Sequence, residues 1–432
     1  MIQELQIQDI ISKTQEILES KDVDFISSVY QDHINPSLTK LIRLAGYAKL
    51  ESHAKSEIIY AQSGENTEEY IDCLGLYGAI LLGHNNEYVL EKVREQMTKQ
   101  CMPSKVFLSS LHAAAAYLIS QITGLKYVFF CNSGAEAVEG AVKLALASTK
   151  RTKIISTTNS YHGKTLGALS VSGRDVYKKD LPNLLEVSFV EYGKIDQIEK
   201  VIDAKTAAVI VEPIQGEGGI IIPPDDYLPK LRKICDEQGC LLIIDEVQTG
   251  LGRTGILFEH QRYGIKPDIL VLAKALGGGV IPIGAIVSNP KAWEVFNQNP
   301  LFHTSTFGAN PLALTACIHT IIFILQNNIP LQAKQKGDYF LEKLNQISNS
   351  KIVKQVRGRG LMIGVELHEE YYASSIFSYL IQNKVITAYT LNQPKVVRIE
   401  PPYTISYEQI DYVVNKFEEA LNHTIDLFEL DE

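Results

Sequence analysis

Three stretches of the sequence place side chains that can do chemistry directly behind apolar runs. Lys274 follows Ile-Leu-Val-Leu-Ala, Asp245 follows Leu-Leu-Ile-Ile, and Ser133 comes shortly after Tyr-Val-Phe-Phe. Burying an ammonium ion without a partner is costly, so Lys274 needs either a carboxylate nearby or a covalent bond that removes its charge. The sequence therefore predicts that Lys274 works at a site and not on a solvated helix face.

The stretch around Ser133 has the pattern of a helix N-terminus. Asn132 and Ser133 offer capping oxygens, Gly134 allows close backbone approach, and Ala, Val and Leu follow at helical spacing. Such an N-terminus presents free N–H groups to an anion, typically a phosphate. Taken alone, the pattern also fits an ordinary capped helix.

The three stretches together predict a cofactor with a pyridine ring. Asp245 would pair with the ring nitrogen and keep it protonated, while Lys274 would bond to an aldehyde on the ring. With a phosphate on the helix that starts at Gly134, these features indicate pyridoxal 5'-phosphate. Asp245 by itself also fits a loop-capping acid, because strands in α/β proteins often end in Asp. The glycines at 277–279 are expected to leave space beside Lys274.

Two other phosphate-binding patterns fail in detail. "SYHGKTLG" contains the Gly-Lys-Thr of a phosphate loop, but Thr158 stands where that loop needs its first glycine. "GGGVIP" has Pro282 at the last glycine position of a dinucleotide fingerprint. Neither stretch predicts a nucleotide site.

The elements that must position these residues are short apolar strands alternating with helices between residues 110 and about 320. This alternation predicts a mainly parallel sheet that is buried on both faces, with ligands beyond the carboxyl ends of its strands. The strand-like segments are 126–130, 152–157, 207–213, 240–246 and 269–274. Helical patterns occupy 134–148 and 226–238.

The rest of the chain divides around this region. We predict an N-terminal helical arm at 1–55 and the N-terminal part of a small domain with a linker at 56–109. The large cofactor-binding domain is expected at 110–325, and a smaller α+β domain at 326–432. Two short strands around a Gly/Asn turn are expected between 57 and 75.

Composition narrows the class of partner. A net charge of -9 argues against a sequence-independent grip on nucleic acid, which needs a basic face. The N-terminus lacks the regions of a signal peptide, and no apolar run predicts a membrane span. The six cysteines form neither a disulfide framework nor a metal-binding pattern. These features predict a cytoplasmic protein that binds small molecules, without a metal, a nucleic acid or a membrane as partner.

The sequence resembles the class III, or omega, aminotransferases, which are pyridoxal-phosphate enzymes of fold type I. The motifs that carry the resemblance are "YIDCLGLYGAILLGHNN", "CNSGAEAVEGAVKLA", "YHGKTLGALS", "VEPIQGEGG", "IIDEVQTGLGRTG", "LAKALGGGVIPIGAI", "HTSTFGANPLA" and "VVRIEPPYT", in this order. Within the family the chain is most similar to putrescine aminotransferases, above all through "TLNQPKVVRIEPP". The resemblance implies an α/β large domain with a mainly parallel seven-stranded sheet and a smaller α+β domain.

The resemblance also implies roles for individual residues. Lys274 resembles the Schiff-base lysine and Asp245 the partner of the ring nitrogen. Thr306 resembles a threonine that binds the phosphate of the neighbouring subunit, which implies a homodimer. Glu217 and Arg398 resemble a pair that handles a substrate carboxylate. The remaining cofactor-binding positions implied are Ser133, Gly134 and Ala135 at the phosphate, Tyr161 stacked on the ring with His162 beside it, Val247 on the opposite ring face, Gln248 at the ring hydroxyl, and Glu212.

The activity implied is transfer of an amino group from a terminal diamine, putrescine or cadaverine, to 2-oxoglutarate. Ornithine, 4-aminobutyrate, N-acetylornithine or a specialised biosynthetic amine or aldehyde remain alternative substrates. An aminomutase or racemase on the same scaffold would use the same lysine without an external keto acid. A pyridoxal-phosphate-binding regulator is disfavoured, because no basic helix-turn-helix segment accompanies the motifs.

Overall fold

The chain forms a central sheet with helices on both faces, two smaller sheets and an N-terminal helical arm. The computed structural model describes residues 4–63, 66–182, 184–348 and 351–429. The strands are β1 (Leu50–Lys55), β2 (Ile58–Ser63), β3 (Asn66–Asp72), β4 (Tyr127–Cys131), β5 (Lys153–Thr157), β6 (Glu186–Val190), β7 (Thr206–Val211), β8 (Leu241–Asp245), β9 (Ile269–Leu272), β10 (Gly284–Ser288), β11 (Val353–Arg359), β12 (Met362–Leu367), β13 (Val385–Ile386), β14 (Ala388–Tyr389) and β15 (Val396–Ile399). The helices are α1 (Glu4–Glu19), α2 (Val23–His33), α3 (Pro36–Leu44), α4 (Gly75–Gly78), α5 (Glu87–Met97), α6 (Ser110–Thr123), α7 (Gly134–Thr149), α8 (Leu166–Val171), α9 (Ile195–Val201), α10 (Tyr227–Gln238), α11 (Pro290–Gln298), α12 (Pro311–Gln326), α13 (Ile329–Ile347), α14 (Glu370–Gln382) and α15 (Tyr407–Leu427).

The central sheet has seven strands in the order β4-β10-β9-β8-β7-β5-β6. Only β10 runs antiparallel to its neighbours, β4 and β9, so the prediction of a mainly parallel seven-stranded sheet is confirmed. The five strands read from the apolar runs are β4, β5, β7, β8 and β9. The other two, β6 and β10, consist of the short runs "EVSFV" and "GAIVS".

Both faces of this sheet are buried, which explains the near-continuous apolar strands. Along β8, Leu242 and Ile244 pack into one hydrophobic cluster, while Leu241 and Ile243 pack into another. This alternation follows from the two-residue period of a strand. Charged side chains are therefore confined to the strand ends, where the candidate site residues lie.

The first smaller sheet is built from N-terminal strands and one strand of the C-terminal part, and the second is built from C-terminal strands alone. In the first sheet, β1, β2 and β3 pair antiparallel, and β13 pairs parallel with β3. The second sheet has the order β11-β12-β15-β14 and packs against α13, α14 and α15. The two strands predicted between 57 and 75 are β2 and β3. The arm predicted at 1–55 is helical only as far as Leu44, because its last residues form β1.

Three properties of the described residues bear on the classes of protein considered above. No single helix is long and apolar enough to cross a membrane. Counted together, α12 and α13 have the length and composition of a membrane-spanning segment, but the two helices meet at a bend of 65°. The six cysteines are free, and Cys101 alone among them is exposed. No cluster of three or more His, Cys, Asp or Glu side chains with metal-binding geometry occurs in the part of the chain that the structure describes.

Candidate active site

The three stretches singled out in the sequence meet at one edge of the central sheet. A Cβ atom added to Gly134 would lie 3.0 Å from Cγ1 of Val247 and 3.5 Å from Cβ of Ala273. The turns after β4, β8 and β9 are therefore in contact, and Gly134 permits this close approach. The carboxyl ends of parallel strands form the usual ligand-binding edge of such sheets.

The turn at Ser133 caps α7 in the way that the sequence predicts. The Ser133 hydroxyl accepts a hydrogen bond of 3.2 Å from the backbone N–H of Glu136, and its carbonyl accepts one of 3.1 Å from the N–H of Ala137. The N–H groups of Gly134 and Ala135 form the first turn, where a helix has no internal acceptors. This end of α7 can hold a phosphate.

Tyr161 and His162 lie beside this turn. A Cβ atom added to Gly163 would come within 2.8 Å of Cβ of Ala135, so the loop that carries them packs directly on the first turn of α7. Tyr161 is half-buried, which suits a ring that covers a flat ligand, and burial raises the pKa of its phenol. Its predicted stacking contact stays a prediction.

Asp245 is buried and fixed from two sides. Its Oδ2 atom lies 2.7 Å from Nδ1 of His162, and its Oδ1 accepts a hydrogen bond of 3.0 Å from the backbone N–H of Val247. The other ring nitrogen of His162, Nε2, is buried and has no hydrogen-bond partner among the described residues. The pair can present a fixed negative charge to a protonated ring nitrogen.

Lys274 lies just beyond the strand that was predicted to end with it. β9 ends at Leu272, and Lys274 begins a short 3-10 turn with a left-handed φ of 47°. A left-handed conformation costs a residue with a side chain about 1–2 kcal/mol, so the surrounding structure must enforce it. The Nζ atom donates a hydrogen bond of 2.8 Å to the carbonyl of Tyr77.

The electrostatic environment favours the neutral amine of Lys274. Burial lowers the pKa of Lys274, against the opposing effect of the carboxylates of Glu400 and Glu217. A neutral amine is the form that attacks an aldehyde or accepts a proton. The isolated lysine of the sequence thus has the position of a reactive group, and its lowered pKa favours the reactive neutral form.

The glycines after Lys274 have a different role from the one predicted. Gly278 and Gly279 have positive φ, and added Cβ atoms would lie 2.3 Å from Oγ1 of Thr320 and 2.8 Å from Cδ1 of Ile80. They allow the turn to pack tightly on α12 and on the segment after α4. They do not leave open space beside Lys274, so that prediction is wrong.

Glu212 and Gln248 are tied to protein groups. Glu212 is buried, and its two oxygens accept hydrogen bonds of 3.0 Å from the backbone N–H groups of Tyr161 and Gly216. Burial raises the pKa of Glu212 to about 7. Gln248 donates from Nε2 to the Tyr77 carbonyl at 3.2 Å and to Oε2 of Glu400 at 3.0 Å. A contact from Gln248 to a ring hydroxyl needs one of these bonds to open, and both cofactor roles stay predictions.

Glu217 and Arg398 form a buried, two-pronged ion pair. Nη1 and Nη2 of Arg398 donate hydrogen bonds of 2.8 Å and 2.6 Å to the two oxygens of Glu217. Burial acts to lower the pKa of the Arg398 guanidinium. The attraction of the Glu217 carboxylate is the stronger effect and holds this pKa above its usual range. Glu217 also accepts a 2.8 Å hydrogen bond from the N–H of Leu391, which keeps the carboxylate in place.

Two site residues escaped the sequence analysis. Glu400 follows Arg398 by two residues at the end of β15, so strand alternation would have placed both side chains on one face. Tyr77 acts through its backbone carbonyl, which is exposed to Lys274 by left-handed conformations at Leu76 and Tyr77 itself. No pattern of residue types signals a carbonyl of this kind.

Thr306 lies at the surface near the phosphate turn. Its neighbour Ser305 accepts a 3.2 Å hydrogen bond from the side chain of Asn132, which directly precedes the capping residue Ser133. Thr306 itself is exposed. Its contact with a phosphate in a second subunit stays a prediction.

Residues 51–421 match the family model described as aminotransferase class-III. The chain belongs to the class-III aminotransferases. It is similar to the ornithine aminotransferase of Toxoplasma gondii, with 26% identity, a TM-score of 0.88, and coverage of 96% of this chain and 99% of that one. It is also similar to Plasmodium falciparum ornithine delta-aminotransferase, at 31% identity and a TM-score of 0.78, covering 92% and 99%. An amine transaminase from an uncultivated Pseudomonas species, solved in a PLP-bound form, has 26% identity and a TM-score of 0.81, covering 87% and 95%.

The enzyme is therefore a pyridoxal-phosphate-dependent transaminase that uses an amine donor and a keto-acid acceptor. The residues present fit this cofactor, because the N-terminal turn of α7, a buried carboxylate and a lysine with a lowered pKa converge. Nε2 of His162, which has no hydrogen-bond partner among the described residues, lies beside them. Ser133, Gly134 and Ala135 would hold its phosphate, Asp245 its ring nitrogen and Lys274 its aldehyde carbon. When bound, the cofactor supplies an electron sink for the carbon that bears the substrate amine.

Proposed function

We propose that this transaminase moves the amino group of a terminal diamine, putrescine or cadaverine, to 2-oxoglutarate, yielding an aminoaldehyde and glutamate. The observation that carries the proposal is the closed ion pair between Glu217 and Arg398. A guanidinium that is already engaged at both prongs offers no bidentate site to a donor carboxylate. The closed site therefore suits a donor that brings no carboxylate to Arg398, such as a diamine.

The acceptor half-reaction uses the same arginine in an open form. When Glu217 releases Arg398, the planar guanidinium can bind the carboxylate of a 2-oxo acid through two parallel hydrogen bonds. When the acceptor binds, its carboxylate replaces the carboxylate of Glu217 on Arg398. Arg398 therefore keeps an anionic partner in both halves of the cycle. One site can thus serve a cationic donor and an anionic acceptor in turn.

The chain supplies the proton chemistry through Lys274. Its amine, with a lowered pKa, takes the proton from the amine-bearing carbon of the donor, and the Tyr77 carbonyl steadies the resulting ammonium at 2.8 Å. Asp245 keeps its negative charge directed at the ring nitrogen, held by His162 at 2.7 Å. Tyr161 covers the site and limits the entry of water.

Aromatic rings near the Glu217–Arg398 pair support a donor with a second ammonium group. Phenol faces attract cations by about 0.5–2 kcal/mol, depending on how far the pair is desolvated. Burial raises the pKa of Tyr161 and of Tyr177, so both stay neutral phenols at working pH. The ring of Tyr77 lies against this pair, with its centroid 5.4 Å from Cζ of Arg398.

Ornithine is a second candidate donor, since two of the similar structures are ornithine aminotransferases. Its carboxylate would need a cation other than Arg398 while Glu217 holds that residue. Arg174 is a half-buried cation of this kind, placed near Tyr177 and donating a 2.7 Å hydrogen bond to the carbonyl of Asn392. The two donors therefore differ in their need for Arg174, because ornithine has a carboxylate for Arg174 to bind and a diamine does not.

We also propose that the active unit is a cytoplasmic homodimer with Thr306 reaching the phosphate of the other subunit. Phe107, Leu108 and Phe307 are highly exposed apolar side chains, and such groups usually mark an interface. The Thr306→Ala variant should bind pyridoxal phosphate more weakly, with no change in its free energy of unfolding as apoenzyme. Elution of the wild-type holoenzyme as a monomer in light-scattering chromatography would contradict the proposal.

The donor is tested by a screen of amines against keto acids. We expect the catalytic efficiency for putrescine to exceed that for ornithine, 4-aminobutyrate and N-acetylornithine, with turnover dependent on 2-oxoglutarate. The Arg174→Ala variant should leave putrescine turnover unchanged. A wild-type preference for ornithine that Arg174→Ala removes would assign ornithine as the donor, and turnover without any keto acid would indicate an aminomutase.

A further inference from the structure

Glu400 is a buried carboxylate to which the activity described so far gives no role. Its Oε2 accepts the 3.0 Å hydrogen bond from Gln248 and lies 3.7 Å from Nη1 of Arg398. Its other oxygen, Oε1, is buried without a hydrogen-bond partner among the described residues. A carboxylate that is fully buried and only half satisfied is costly to keep. Such a group points to a role in binding or catalysis.

A continuous polar chain connects Glu400 with both ends of the site. Lys274 donates to the Tyr77 carbonyl, and Gln248 donates both to that carbonyl and to Glu400. From Glu400 the chain continues through Arg398 to Glu217. Glu400 therefore lies between the lysine that handles the amine and the arginine that would bind the acceptor.

The charges along this chain are unequal once Lys274 is neutral. Glu217 and Glu400 then face the single guanidinium of Arg398. The nearby guanidinium of Arg253 lies outside this chain, because it donates its hydrogen bonds to backbone carbonyls and not to Glu400. One of these carbonyls is that of Gly78, at 3.3 Å.

We propose that Glu400 is a specificity-determining residue whose buried negative charge favours the cationic donor and opposes the anionic acceptor. The inference rests on the proposed function for the two ligand types, and it deepens that proposal. A diamine that enters with both of its amines protonated adds positive charge to the site, whichever atoms then hold the protons. A 2-oxo diacid adds negative charge beside Arg398. Glu400 stabilises the first state and destabilises the second.

The Glu400→Gln variant tests the inference, because the amide keeps the shape and an acceptor for Gln248 but removes the charge. Two unreactive probes report binding to the holoenzyme by calorimetry: N,N,N',N'-tetramethylputrescine as the dication and glutarate as the dianion. The dissociation constant should rise about 10-fold for the cation and fall about 10-fold for glutarate, as expected for one charge a few ångströms away in a partly screened site. Merely structural damage would weaken both ligands.

Two further variants serve as controls. Glu400→Asp keeps the charge, so both constants should stay within about two-fold of wild type; it also tests the inference if the glutamine variant does not fold. Glu259→Gln removes a fully buried carboxylate whose partners are Arg262 and Arg359, outside the polar chain, and should move neither constant. The inference is overturned if Glu400→Gln weakens both probes, leaves both unchanged, or shifts them the same way. A wild-type preference for ornithine would overturn the proposed donor instead, while opposite shifts in Glu400→Gln would still support the role of Glu400.

Discussion

Nδ1 of His162 lies 2.7 Å from Oδ2 of Asp245, and both side chains are buried. The imidazole fixes the carboxylate, whose other oxygen is held by the backbone N–H of Val247. Asp245 thus keeps one orientation throughout the cycle, which is what a partner for a protonated ring nitrogen needs.

The Asp245→Asn variant should retain the cofactor and lose activity. A neutral amide keeps the size of the carboxylate but no longer stabilises positive charge on the ring, so we expect the turnover number to fall at least about 100-fold. Absorbance of the purified variant reports the bound cofactor, and steady-state kinetics report the loss. A rate within a few-fold of wild type would mean that Asp245 is not the partner of the ring nitrogen.

Arg398 should matter in one half-reaction only. Arg398→Ala alone would leave Glu217 buried without a partner, so the double variant Glu217→Gln, Arg398→Ala is the better test. Loss of a two-pronged charged contact should weaken 2-oxoglutarate binding about 100-fold, while single-turnover reaction with putrescine stays within a few-fold of wild type. Stopped-flow absorbance measures each half separately. Equal losses in both halves would contradict the assignment.

Glu212 should make stability depend on pH. Its pKa is raised in the folded state to about 7 from an ordinary value of 4.5, so the folded protein binds a proton that the unfolded chain has released. Stability from this group is complete below pH 4.5 and is lost as pH rises through 7, by about 3 kcal/mol in all. Between pH 4.5 and 7.5, the free energy of unfolding of wild type should therefore fall by this amount relative to that of Glu212→Gln. If the free energies of unfolding of the two proteins change with pH in parallel over this range, the pKa of Glu212 is not raised.

Gly134 should be required for cofactor binding and not for folding. The Cβ atom of alanine would lie 3.0 Å and 3.3 Å from the two methyl groups of Val247, pushing apart the turns that we expect to hold the phosphate and the ring. We expect Gly134→Ala to raise the dissociation constant for pyridoxal phosphate about 10-fold, equivalent to about 1.4 kcal/mol of strain. Fluorescence titration of the apoenzyme measures the constant. An unchanged constant would show that the two turns can separate freely.

The sequence predicted the fold well because the central strands are buried on both faces. Runs such as "LLIID" and "ILVL" have few alternatives to a buried parallel strand, and chemistry-bearing residues at their ends had to meet. Ser133, Asp245 and Lys274 were singled out in this way, and the structure brings their stretches together. Gly278 and Gly279 were misread, because a glycine's neighbours in space cannot be read from the chain. Tyr77 was missed since it acts through its backbone, and Glu400 since its sequence neighbours look like an ordinary strand end.

The central claim is that Lys274 holds the cofactor. Reduction of the holoenzyme with borohydride fixes pyridoxal phosphate to the amine that carries it, and peptide mass spectrometry then locates the modified residue. We predict a single adduct on Lys274 and none in Lys274→Ala, a variant that should still fold and bind the cofactor through the α7 turn and Asp245 but should not sustain multiple turnovers. An adduct on any other lysine of the wild-type enzyme, or wild-type turnover by Lys274→Ala, would contradict the account.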